Sequence, residues 1–229
     1  MKFHYFGHSV LACTTEKHSV CFDPFFTGNP ANGDIPESLK PDTIILTHGH
    51  EDHVGDTESI AKANGSKVVA VYELANFLGE KGLETVPCGL GGRVQHDWGW
   101  SKFVQAFHSS SFQGKYMGMP AGVIVDFDGV RIYNTGDTCV FGDMALIAEM
   151  YQPEVMILPV GGHFTMDAFE AKKAIELVKP KLAIPVHYNT WPPLEMDVDK
   201  FKSEIEQSSN TKVQVMAVND TFEMTPSKA

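Results

Sequence analysis

The sequence predicts an α/β (α+β) fold of two β-sheets packed face to face, with helices on the outside. Three observations carry this expectation. Hairpin-connected strands occur in both halves of the chain, strand-helix alternation follows each set, and the chemically distinctive histidines and aspartates sit just past strand ends. Hairpin-connected strands need antiparallel partners, so a single doubly wound parallel sheet fits less well.

Taken in order, Lys2 to Phe6, Ser9 to Thr14 and His18 to Phe22 are rich in aromatic and β-branched residues and read as strands, with Thr15-Glu16-Lys17 as a hairpin turn. Asn29-Pro30, Asn32-Gly33 and Pro36 then exclude regular structure until Asp42-Thr43-Ile44-Ile45-Leu46-Thr47, a short apolar run of the buried-strand kind. Helix is expected over Thr57 to Ala63 and Glu73 to Lys81, alternating with strands at Lys67 to Val71 and Leu83 to Pro87.

The middle reads as strand at Gly92 to Trp98, Lys102 to Phe107, Ala121 to Asp126 and Val130 to Asn134. Asp128-Gly129 is a two-residue hairpin signal, and Ser109 to Met119 reads as loop. Alternation resumes with helices at Phe141 to Met150, Asp167 to Lys179 and Val198 to Gln207, and strands at Glu154 to Leu158, Lys181 to Pro185 and Lys212 to Ala217. The second of these helices has the clearest start, with Asp167 as N-cap, Glu170 three residues on, and Pro180 past its end. No linker, low-complexity run or internal repeat divides the chain, so residues 1–229 are expected to form one domain.

Composition narrows the function. The 229 residues are 43% hydrophobic, enough for a sizeable core, and carry a formal net charge of −11. That field repels phosphate, so neither nucleic acid nor an anionic membrane is an expected partner; a small-molecule substrate is. The start lacks the apolar core of a signal peptide, no stretch approaches a membrane span, and a cytoplasmic protein is expected. Cys13, Cys21, Cys88 and Cys139 lack CxxC spacing and read as buried free thiols.

The chemistry concentrates in His48-Gly49-His50-Glu51-Asp52-His53, where four side chains bind divalent metals through nitrogen or carboxylate oxygen. A chance occurrence of His-x-His-x-Asp-His is roughly a one-in-a-thousand event, so a metal site is the reading adopted. His108, Asp137 and His187 follow strands in the same manner as His48, and that shared placement raises all three as further ligands. His4, His18 and His96 lie within strands and read as structural or surface residues.

The spaced set His-x-His-x-Asp-His, His108, Asp137 and His187 resembles the metallo-β-lactamase superfamily over nearly the whole chain. Tyr5-Phe6-Gly7-His8-Ser9, Phe22-Asp23-Pro24-Phe25, His108-Ser109-Ser110-Ser111-Phe112, Gly136-Asp137-Thr138, Phe164-Thr165-Met166 and His187-Tyr188-Asn189-Thr190 are similar to a family of small bacterial metal-dependent hydrolases. More distant similarity runs to ascorbate-phosphate lactonase and to N-acyl phosphatidylethanolamine phospholipase D.

The resemblance implies a four-layer αββα sandwich of two mixed sheets, with two divalent ions at one edge. His48, His50 and His108 would hold the first ion, Asp52, His53 and His187 the second, and Asp137 would bridge them together with a hydroxide. Three imidazoles leave a tetrahedral ion one open position, the pattern of a catalytic site. Zinc is the default, and manganese, nickel or iron suit the same ligands.

The implied reaction is hydrolysis of a small ester, lactone or phosphodiester, with Asp52 also receiving or relaying a proton. The alternative is a metal-binding or regulatory protein on the same fold with little or no catalysis. Asp23 would orient the histidine loop from behind. His8 is expected as a substrate contact or proton donor, and His163 as a contact for an anionic substrate together with the amides of the following helix, although the family often carries asparagine there. Related families assemble, which leaves a homo-oligomer open.

Overall fold

In the computed structural model the strands and helices follow one another as β1 (Lys2–Gly7), β2 (Val10–Thr14), β3 (Ser19–Phe22), β4 (Thr43–Ile45), α1 (Glu51–Val54), α2 (Thr57–Asn64), β5 (Lys67–Val71), α3 (Tyr72–Gly79), β6 (Thr85–Cys88), β7 (Arg93–His96), β8 (Gly99–Gln105), β9 (Ser111–Phe112) and β10 (Lys115–Tyr116). There follow β11 (Ala121–Phe127), β12 (Val130–Asn134), α4 (Met144–Tyr151), β13 (Val155–Pro159), α5 (Ala168–Val178), β14 (Leu182–Val186), α6 (Val198–Ser208), β15 (Lys212–Val213) and β16 (Thr221–Glu223). The structure describes residues 1–225; the last four residues of the expected domain, 226–229, lie outside the described residues.

Two seven-stranded mixed sheets result, in the orders β16-β1-β2-β3-β4-β5-β6 and β15-β14-β13-β12-β11-β8-β7. The hairpin-rich strands at the start of each set pair antiparallel, as in β1–β2–β3 and β8–β11–β12. The strands that alternate with helices pair parallel, as in β3–β4–β5–β6 and β12–β13–β14–β15. This is the chemistry of connection length: a two-residue turn returns the chain antiparallel, whereas a helix carries it across to a parallel neighbour.

The layers follow from side-chain alternation. Along β11, Val123, Val125 and Phe127 join Phe3, Leu11, Phe22 and Ile44 of the first sheet in one buried cluster, which Leu74 and Leu78 of α3 extend. Ile124, between them in sequence, points the other way and packs with Met144, Ile175 and Phe201 of α4, α5 and α6. Tyr133, Met156 and Leu158 do the same along β12 and β13. Helices therefore flank two stacked sheets, and the αββα arrangement is the one observed.

Several elements differ from the sequence reading. The strand expected over Gly92 to Trp98 ends at His96, because Asp97 and Trp98 form the turn into β8. Trp98 turns there without exposing its ring: it is buried, and its Nε1–H donates to Thr43 Oγ1 at 3.2 Å. The expected loop at Ser109 to Met119 contains the small β9–β10 hairpin. A strand not foreseen, β16, closes the first sheet against β1. Cys13, Cys21 and Cys88 are buried as expected, but Cys139 is exposed.

The cap of α5 is as read: the Glu170 N–H donates to Asp167 Oδ1 at 2.9 Å. Among the described residues, no helix is long and apolar enough to cross a membrane.

Candidate metal centre

The central motif begins where β4 ends and its last residues form α1, so one helical turn brings Asp52 and His53 back toward His48. From the second sheet, His108 follows β8, Asp137 follows β12 and His187 follows β14. These strand ends meet at one edge of the sandwich. Three sets of ligand atoms there each lie within 4.8 Å of one another: His48, His50 and His108; His48, His53 and Asp137; and His8, Asp52, His53 and His187.

Asp137 connects the sets. Its Oδ2 is 3.2 Å from His187 Nε2, 3.3 Å from His53 Nε2 and 3.5 Å from His108 Nε2. Asp52 Oδ2 is 3.0 Å from His8 Nε2, 3.6 Å from His187 Nε2 and 3.8 Å from His53 Nε2. All seven expected ligands are thus gathered in one place, together with His8.

Hydrogen bonds on the far side of the rings set which nitrogens face inward. Buried Asp23 accepts the Thr47 N–H on Oδ1 at 2.9 Å, and on Oδ2 the Thr47 hydroxyl at 2.8 Å and His53 Nδ1–H at 2.9 Å. With its hydrogen given to Asp23, Thr47 Oγ1 accepts from His48 Nδ1–H at 3.0 Å. A neutral imidazole has one N–H, so His48 presents Nε2 as a lone pair; His53, which against burial the Asp137 and Asp23 carboxylates raise well above the ordinary histidine value, presents its own once its second proton leaves. His50 is turned the other way: Nε2 is bonded to Ser109 Oγ at 3.1 Å, and Nδ1 stands 2.9 Å from His48 Nε2.

His48 Nε2 and His50 Nδ1 converge, and buried His53 Nε2 makes no well-aligned hydrogen bond although Asp137 Oδ2 is 3.3 Å away. Both features fit a bound divalent metal, and the nitrogen and carboxylate set suits zinc and its neighbours.

The segment after β8 clamps this loop. The Gly49 N–H donates to Ser110 Oγ at 3.0 Å, and a Cβ on Gly49 would collide with Met117, so only glycine lets the β9–β10 strap lie so close. No single-sequence signal singles out Ser109 and Ser110 as partners of the motif, since loop serines are common.

Electrostatics follow from burial and crowding. Burial opposes ionisation of Asp137, but the His187 and His53 rings beside it outweigh burial and hold its carboxyl well below the usual range. Reciprocally, burial would lower His187, yet the Asp137 carboxylate raises it to about 9. Burial and the neighbouring His53 keep His48 well below the ordinary histidine value. Asp52 is held down against burial by His53, His187 and His8. An aspartate kept ionised in this way suits a ligand better than a base.

The remaining candidates separate. His8 is fully buried beside Asp52. His163 is exposed and packs edge-on against Phe164, with ring centroids 4.4 Å apart. Its loop backs onto His187 through Gly161, and is tied to Thr138, beside Asp137, by the Met166 N–H donating to Thr138 O at 3.1 Å. The anion seat expected at the start of α5 is already engaged by its own cap, Asp167. His4 bonds Thr14 and Thr221 across strands and His96 bonds Ser101, which makes both structural.

Two stacked mixed sheets with this histidine and aspartate edge define a metal-dependent hydrolase of the metallo-β-lactamase fold, and residues 2–187 match the beta-lactamase superfamily domain. A metal-dependent hydrolase of Bacillus velezensis, of the UPF0173 family, is 45% identical over 230 residues, spanning 98% of this chain and 100% of that protein. The chain belongs to the UPF0173 family of metal-dependent hydrolases. YtkL of Bacillus subtilis, another member, is 44% identical over 230 residues, again spanning 98% and 100%. The solved structure of Igni18, a metallo hydrolase from the archaeon Ignicoccus hospitalis, is similar with a TM-score of 0.89 and 35% identity, covering 98% of this chain and 99% of that one.

Proposed function

We propose that this hydrolase cleaves a small ester, lactone or phosphodiester at two divalent ions, with zinc as the default metal. His48, His50 and His108 would hold the first ion, Asp52, His53 and His187 the second, and Asp137 would be shared. The observation that carries the reading is the position of Asp137 Oδ2, within 3.5 Å of nitrogens from both sets. When bound, such ions make a water acidic enough to attack at neutral pH and polarise the oxygen of the bond being cut.

The chain's own residues do the rest. Asp23, Thr47 and Ser109 hold the rings of His53, His48 and His50 in orientation, which limits reorganisation at the moment of reaction. His163, exposed on the loop beside His187, would contact the substrate. The net charge of −11 favours a small-molecule substrate over nucleic acid, and the protein is proposed to act in the cytoplasm.

The test is metal content by mass spectrometry beside a panel of chromogenic esters, lactones and phosphodiesters, comparing wild type with Asp137→Ala. Two ions and turnover of at least one class are expected, with turnover falling more than about a hundredfold in the variant. Two bound ions with no turnover of any class would favour a metal-binding regulatory protein instead.

A further inference from the structure

His8 stands among the ligand atoms, yet the expectation was a proton donor or substrate contact. Its ring has no exposure: His187 lies 4.0 Å away between centroids, Trp191 4.8 Å and Phe25 5.9 Å. A substrate has no route to either nitrogen that does not displace one of these groups.

The bonds on its far side allow the tautomer a ligand needs. His8 Nδ1 is 2.9 Å from Thr190 Oγ1, and the Tyr188 carbonyl oxygen is 3.3 Å from the same hydroxyl. Thr190 Oγ1 can therefore take either role: donating to Nδ1 leaves the ring proton on Nε2 to bond Asp52 in the metal-free protein, and accepting from Nδ1–H frees Nε2. Thr47 and His48 make the second arrangement on the first set. His8 Nε2 is then a bare lone pair 3.0 Å from Asp52 Oδ2, which is itself an acceptor only. In that tautomer the two atoms are placed to share a positive centre. A second proton on His8 would place an imidazolium in a site with no exposure, packed against another imidazole, and burial penalises that. A divalent ion fits there with the donors already present.

We infer that His8 is a ligand of the second ion through Nε2, so that His8, Asp52, His53 and His187 surround it. The inference rests on the two-metal reading above. It divides the labour within the centre: with Asp137 shared, five side chains would approach saturation at the second ion, while the first would have four and room to expand to a fifth ligand. Substrate oxygen therefore docks on the His48, His50 and His108 side. Thr190 becomes a positioning residue that holds the His8 tautomer.

The experiment is a crystal structure of the zinc-loaded wild type, paired with zinc stoichiometry of His8→Gly and Thr190→Val. Glycine is chosen because His8 has a left-handed φ of 54°, which glycine adopts without strain. The expected results are His8 Nε2 within about 2.0–2.1 Å of an ion, one retained ion in His8→Gly after dialysis, and return of the second on adding free imidazole. Thr190→Val should keep both sites and bind the second ion about 10–100-fold more weakly. The assignment is overturned if Nε2 lies beyond about 3 Å from any ion and donates to Asp52, or if His8→Gly keeps both ions at wild-type affinity. The wild-type structure decides even if the glycine variant does not fold. A wild type that binds fewer than two ions brings down the two-metal reading itself, and this assignment with it.

Discussion

Asp23→Asn changes one atom of a buried carboxylate and tests how the histidine loop is held. Asp23 receives three donors: the Thr47 N–H, the Thr47 hydroxyl and His53 Nδ1–H, at 2.8 to 2.9 Å. The asparagine oxygen can keep the backbone donor. Its NH2 then faces the other two, and His53 Nδ1–H meets a donor instead of an acceptor. A hydrogen bond to a charged group is worth about 1.5–3 kcal/mol, so the metal-free variant should lose that much stability. For a chain of this length each kcal/mol moves Tm by roughly 2–4 °C, which predicts a fall of about 3–12 °C.

His53 can recover a bond by moving its proton to Nε2, but that removes the lone pair facing Asp137. Metal affinity at the second centre should therefore fall about 10–100-fold, and the first centre should weaken as well, because the Thr47 hydroxyl that holds His48 loses its acceptor. Thermal unfolding of metal-free protein and zinc titration of the folded protein measure the two effects separately. Wild-type Tm together with two wild-type affinities would refute the reasoning.

Two further outcomes are expected. Ser109→Ala removes, from an exposed residue, the hydroxyl bonded to His50 Nε2, so affinity at the first centre should drop by about tenfold or more while Tm shifts little; equal weakening of both centres would contradict this assignment. Metal loading should release protons: burial opposes the charge on His187, but Asp137 holds its proton up to about pH 9, and a ligand ring must be neutral. Affinity should accordingly climb with pH and level off above about 9, and calorimetry in two buffers of different ionisation enthalpy at pH 7 should register the release; no proton released at pH 7 would count against it.

Strand periodicity and turn chemistry carried most of the fold. Lys67–Val71 and Val130–Asn134 have in the structure the bounds read from the sequence, because breakers flank both, and Asp128 and Gly129 supply the positive φ that their hairpin turn requires. Asp167 announced α5 by its own capping bond. What escaped was short or paired at a distance. Thr221–Glu223 is three residues long and becomes a strand only because β1 offers it a partner. The single turn Glu51–Val54 is hidden inside a motif that reads first as ligands.

At the site, the spacing of the motif and the strand-end positions of His108, Asp137 and His187 pointed to side chains that the fold gathers within a few ångströms. The hydroxyls of Thr47, Ser109 and Thr190 could not be found that way. Their roles depend on which ring nitrogen they face, and that is settled only by three-dimensional packing.

The candidate ligand atoms come from both sheets: His48, His50, Asp52 and His53 follow β4 of one, whereas His108, Asp137 and His187 follow β8, β12 and β14 of the other. Ions bound there fasten the two halves of the sandwich at an edge that no strand pairing crosses. An unfolded chain offers no such preformed cage, so each ion adds folding stability, about 2.7 kcal/mol when free metal is a hundred times its Kd. A change of that size alters the steady-state amount of a protein several-fold through the proteases that clear unfolded chains. Metal supply would then set how many copies of the enzyme persist as well as how fast each one works.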